Sequence, residues 1–227
     1  MRKTTPATRS HITLTAVIIF LLLAVLYFLP IDIPFKTAFP LTALTILSVW
    51  VLPWQMCLAM LFSTAGDVAG DLGLLILQIG FFSLTQIMLA VYFLHRAVRE
   101  GLYSSSGYSP WKSNGRFIFL SSVTVFSLLL TTAAVTAIVP NVYGDLEPWT
   151  VAAYSALTVL MFWSAIIQRD LLFAAGAALF VASDFILGWD RFISPVSGAD
   201  YLIMIPYYMA QIILFVRSSI PVITYNR

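Results

Sequence analysis

The chain has 227 residues, 60% of them hydrophobic and only 10% charged. Soluble domains carry about a quarter charged residues, so this composition excludes an ordinary water-soluble fold and points to a membrane protein. The length fits a single integral membrane domain over residues 1–227, and the lone cysteine, Cys57, excludes an intrachain disulfide and reads as a small buried hydrophobe.

Prolines, glycines and charges divide the sequence into eight apolar segments, which predicts an all-α polytopic membrane bundle of about eight transmembrane helices. The first segment runs from Ile12 to Leu29 behind Arg2, Lys3 and Arg9. It has no small-residue cleavage site and reads as a retained helix rather than a signal peptide. The second spans Phe35 to Leu52. The third begins near Trp54 and carries Asp67 near its far end, where Gly66, Gly70 and Gly73 leave open whether the helix reaches Asp71. The fourth covers Leu74 to Leu94, followed by the longest polar loop, His95 to Gly115. The remaining spans are Arg116 to Val139, Pro148 to Ile167, Asp170 to Gly188 and Asp200 to Ile220.

With eight spans, Arg2, Lys3, Arg9, Arg96, Arg99, Lys112, Arg116, Arg169, Arg217 and Arg227 fall on one side, and only Lys36 and Arg191 on the other. The bias predicts cytoplasmic termini, in an inner or plasma membrane. Asp32, Asp67, Asp71, Asp145, Glu147, Asp184, Asp190 and Asp200 sort to the opposite face.

Two phrases stand out: Met60-Leu61-Phe62-Ser63-Thr64-Ala65-Gly66-Asp67 and Ala178-Leu179-Phe180-Val181-Ala182-Ser183-Asp184. In both, Leu-Phe leads through small residues to an aspartate within an apolar run. A carboxylate in hydrocarbon is costly, so Asp67 and Asp184 are the candidate catalytic residues. Their spans run in the same direction, and Gln86 and Gln211 follow in the next spans, which hints at a parallel repeat of four helices. Ser183 is placed to hydrogen-bond Asp184, Tyr207 and Gln211 share a helix face with Tyr208 elsewhere, and Asp190 and Arg191 read as an interfacial ion pair. Two carboxylates brought together in low dielectric divide the roles of acid and base between them. Neither His11 nor His95 lies on the acidic side, so no Ser-His-Asp set is available. No zinc spacing, P-loop or basic-aromatic pattern appears, and no metal, cofactor or nucleic-acid partner is expected.

Ser63 to Asp67, Gly176 to Asp184, Arg191-Phe192 and Tyr207-Tyr208-Met209-Ala210-Gln211 together resemble the YhhN-type membrane proteins, which include the lysoplasmalogenases. The resemblance covers about Lys36 to Val216. It implies an eight-helix enzyme that hydrolyses the vinyl ether bond of a lysophospholipid among membrane lipids, giving a fatty aldehyde and glycerophospho-ethanolamine or -choline. Lys36 or Arg191 then holds the lipid phosphate, and Ser63, Asp71, Gln86, Ser183, Asp190, Tyr207 and Gln211 bind or orient the substrate. Where the family pattern has a histidine in the fourth helix, this chain has Gln86. The competing reading of the same aspartates is a proton- or cation-coupled transporter.

Overall fold

The computed structural model describes residues 5–99, 110–142 and 146–220, with the backbone alone at 110–114 and 116. The expected roles of Arg2, Lys3, Asp145 and Arg227, and residues 100–109 of the polar loop, lie outside the described residues, as do the side chains of Lys112 and Arg116. Within this range there are eight α-helices and no strand: α1 (Pro6–Phe28), α2 (Phe39–Val51), α3 (Trp54–Asp71), α4 (Leu75–Arg99), α5 (Pro110–Ile138), α6 (Pro148–Ile166), α7 (Leu171–Phe192) and α8 (Ala199–Ser219).

Local chemistry sets these ends. Thr5 caps α1 by accepting from the Thr8 amide at 3.2 Å, with Pro6 in the first turn. The second helix starts four residues later than expected, because Phe35 adopts φ 60 and Pro40 sits at the helix start. A helix begun at Phe35 would have put Pro40 in its interior, where the ring displaces a backbone hydrogen bond. At the end of α3, Gly73 (φ 70) donates to the Gly70 carbonyl and the Leu74 amide to that of Ala69, both at 2.9 Å. This left-handed closure carries the helix through Asp71. Asp170 caps α7, accepting from the amides of Leu172 and Phe173. Helix α4 continues past Leu94 to Arg99, α5 starts at Pro110, and α7 continues past Gly188 to Phe192.

Among the described residues, six helical stretches are long and apolar enough to cross a bilayer: Pro6–Phe28, Leu75–Arg99, Phe117–Asn141, Pro148–Ile166, Leu171–Phe192 and Ala199–Ser219. The 13 residues of α2 reach only about 20 Å, short of a hydrocarbon core of about 30 Å. Large side chains such as Leu14, Ile18, Leu22 and Val25 on α1, and Phe117, Val125, Leu128 and Leu129 on α5, face outward. Water would penalise such surfaces, whereas lipid is their natural solvent.

The helices form two compact units, Met1–Thr85 with Gln211–Arg227, and Gln86–Ala210. In the first, α1 packs on α2 and α2 on α3, around Phe20, Leu41, Leu44, Met56 and Met60. Arg9 donates to the Val51 carbonyl at 2.8 Å, satisfying an orphan acceptor at the end of α2. The absence of a side chain at Gly66 admits the Phe82 ring, which a Cβ there would meet at 3.0 Å. In the second unit, α6 packs on α5 and on α7. Phe93 and Phe173 meet edge to face at 5.1 Å, and Arg96 lies over the Phe173 ring while pairing with Asp170 at 3.8 Å.

Candidate active site

Asp184 is half-buried on α7 and receives three side-chain hydrogen bonds, all on Oδ2. The Tyr154 hydroxyl donates at 2.7 Å, Gln86 Nε2 at 3.1 Å and the Thr158 hydroxyl at 3.3 Å. Tyr154 and Thr158 sit four apart on α6, so one face of that helix presents both hydroxyls. Gln86 reaches in from α4 and is 0% exposed. Its Nε2 is used on Asp184, while its Oε1 is buried with no hydrogen-bond partner among the described residues. A carboxyl group whose Oδ2 already accepts three donors carries any proton on Oδ1. Asp184 is thereby oriented as an acid with a defined proton-bearing atom, or as a carboxylate with one oxygen left for a substrate or water.

Asp67 belongs to the first unit and is 4% exposed. One turn earlier on the same face of α3, Ser63 accepts from Gln211 Nε2 at 3.0 Å and donates to Thr85 at 3.3 Å. The expected orienting residues Ser63 and Gln211 thus join each other. Asp71, also one turn from Asp67, is exposed and accepts from the Thr37 hydroxyl at 2.7 Å. That bond ties the α1–α2 connection to the end of α3. Lys36, in the same connection, donates to the Ile31 carbonyl at 3.3 Å and lies 5.6 Å from the Tyr27 ring centroid.

Several expectations change. Ser183 does not serve Asp184; its buried hydroxyl donates to the Ile203 carbonyl at 2.9 Å, joining α7 to α8. Successive helix residues point in different directions, so sequence adjacency was a poor guide. For the same reason Asp190 does not turn to its neighbour Arg191. Its Oδ1 accepts from the Val196 amide at 2.7 Å and fastens the connection after α7, while Arg191 is exposed. Tyr207 packs edge to face on Phe180 at 5.6 Å, and Tyr208 beside it is buried too, with ring centroids 5.7 Å apart.

The sequence reading missed Tyr154 and Thr158. Their signal was a tyrosine and a threonine at i, i+4, which puts two hydroxyls on one face of α6, but Thr150 with Tyr154 and Ser155 with Thr158 offer pairings of the same kind. Among the described residues, no group of three His, Cys, Asp or Glu side chains is placed to hold a metal ion.

A family model described as the YhhN family matches residues 10–218. A curated human protein, lysoplasmalogenase TMEM86B of Homo sapiens, is 38% identical over 74 residues, which is 31% of this chain and 32% of that protein. The match therefore spans about a third of the curated relative. No solved structure matches the chain.

Proposed function

The chain belongs to the YhhN family, and from that premise we propose that it is a membrane hydrolase of the lysoplasmalogenase type. It would cleave the vinyl ether bond of a lysoplasmalogen to a fatty aldehyde and glycerophospho-ethanolamine or -choline. The observation that carries the reading is the donor set on Asp184 Oδ2, drawn from α4 and α6 inside an apolar unit. The partial likeness to a named lysoplasmalogenase supports the substrate class.

The chemistry needs an acid, a water and a base. Protonated Asp184 gives its Oδ1 proton to the β carbon of the vinyl ether, whose π electrons form the new C–H bond. Positive charge then lies on the α carbon and is shared with the ether oxygen. Water adds to the α carbon and gives up a proton to a carboxylate, leaving a hemiacetal. Cleavage of the C–O bond to the glycerol releases aldehyde and restores the glycerol hydroxyl, so one water is consumed. Ionised carboxylate near the cation lowers the barrier, and Tyr154, Thr158 and Gln86 hold Asp184 in position throughout. Asp67, the matching buried carboxylate of α3, is proposed as the second acid–base group, and Lys36 or Arg191 as the phosphate contact. Cytoplasmic termini complete the proposal.

Aldehyde release from synthetic lysoplasmalogen by the purified protein tests the assignment. Asp184→Asn and Asp67→Asn are each expected to lose activity by about 100- to 10,000-fold. Full activity in Asp184→Asn removes the mechanism.

A further inference from the structure

The fully buried Oε1 of Gln86 is an acceptor with no donor among the described residues, at the other end of the amide that holds Asp184. Buried polar atoms in folded proteins are almost always paired, and an unpaired one in a candidate site marks where a ligand atom belongs. The missing group must be a hydrogen-bond donor, because a carbonyl oxygen can only accept. Resting on the reading above, we infer that Gln86 Oε1 accepts a hydrogen bond from the free central glycerol hydroxyl of a single-chain lipid, and that this contact is the site's selectivity filter against two-chain lipids.

The placement follows from covalent structure. In a lysoglycerolipid that hydroxyl is on the carbon next to the one bearing the ether oxygen. A side chain already bonded to the carboxyl group that attacks the vinyl ether is therefore in reach of it. In a two-chain lipid the same position carries an ester, which brings acceptors and no donor. Set against Gln86 Oε1, it would place acceptor against acceptor in a desolvated site. Discrimination of this kind comes from the group left unpaired rather than from added attraction. It suits an enzyme whose substrate is surrounded by an excess of two-chain lipids.

The test uses the full chain in detergent micelles and two non-cleavable probes, a saturated-ether lysoglycerophosphocholine and its analogue with hydrogen in place of the central hydroxyl. Affinity is followed by tryptophan fluorescence. The hydroxyl-bearing lipid is expected to bind about 10- to 100-fold more tightly, the range set by burying one unpaired polar group. In Gln86→Met, which keeps the length and removes the acceptor, the gap is expected to fall below about threefold. Equal affinities in the unaltered protein overturn the inference, as does binding of neither lipid, or a gap that survives in Gln86→Met. The comparison within the unaltered protein stands even where the variant does not fold. Saturated ethers cannot undergo the hydrolysis proposed above, so this result and the aldehyde assay succeed or fail separately.

Discussion

If the Tyr154 hydroxyl holds Asp184, the two side chains must be energetically coupled, and the structure says by how much. The 2.7 Å contact has the usual length of a well-formed O–H···O bond, whereas Thr158 at 3.3 Å is beyond the long end. Hydrogen bonds to charged groups contribute about 1.5–3 kcal/mol in soluble proteins, but interhelical bonds within membranes average about 0.6 and reach about 1.7 kcal/mol. A well-formed bond to a carboxyl group inside a membrane belongs in the upper part of the second range, so a coupling of about 1.5 kcal/mol is expected for Tyr154 with Asp184. Less than about 0.5 kcal/mol is expected for Thr158. The assay is a double-mutant cycle on reversible unfolding in mixed micelles, with Tyr154→Phe, Thr158→Val and Asp184→Leu as singles and the two doubles. Additive effects for Tyr154→Phe with Asp184→Leu, within about 0.5 kcal/mol, refute the bond as an energetic contact. Equal coupling for Tyr154 and Thr158 would show that distance does not rank the donors as argued.

Two further outcomes follow from packing and capping. Gly66→Ala forces a Cβ to 3.0 Å from the Phe82 ring, a stiff neighbour that must shift bodily. Gly188→Ala meets only the movable end of Ile138 at the same distance. Thermal unfolding in detergent should show a loss of about 1–3 kcal/mol for the first and clearly less for the second, and the reverse order contradicts the packing. Asp170→Ala removes the cap of α7 and the partner of Arg96, for an expected loss of about 1–2 kcal/mol, while Asp170→Asn keeps the cap and recovers most of it. Matching losses in the two variants would assign the effect to charge rather than capping.

What could be read ahead of the structure was what depends on local pattern. Apolar runs bounded by proline and glycine located every helix, and Asp184 and Asp67 announced themselves as carboxylates in apolar surroundings. Gln86 stood out as an amide in the apolar span after Asp67, and it has a partner in Asp184. What could not be read was which hydroxyls turn toward Asp184. Tyr154 by itself reads as an interfacial aromatic, and a helical threonine ordinarily bonds its own backbone, as Thr64 does with the Met60 carbonyl at 2.9 Å. Ser183 and Asp190 were misjudged by the same habit of pairing sequence neighbours, which on a helix lie on different faces. The late start of α2 was legible in principle, since Pro40 belongs in a first turn.

A carboxyl group that merely fastened three helices together would do best with its donors spread over both oxygens, each lone-pair direction satisfied and no atom left over. Asp184 is arranged otherwise: α4 and α6 both contribute to Oδ2, and the amide that supplies one of these donors keeps a buried acceptor with no partner among the described residues. Half-satisfied polar networks are poor glue, because the unpaired atom costs more than an apolar side chain of the same shape. Replacing the whole cluster by well-packed leucine, methionine, phenylalanine and valine should then leave the fold as stable or more so. Such a result would show that these groups are not there for stability, and would leave the handling of a substrate as the reason for them. A large loss of stability in that fully apolar variant, measured in the same mixed micelles, would instead make the cluster a structural staple and remove Asp184 from the chemistry.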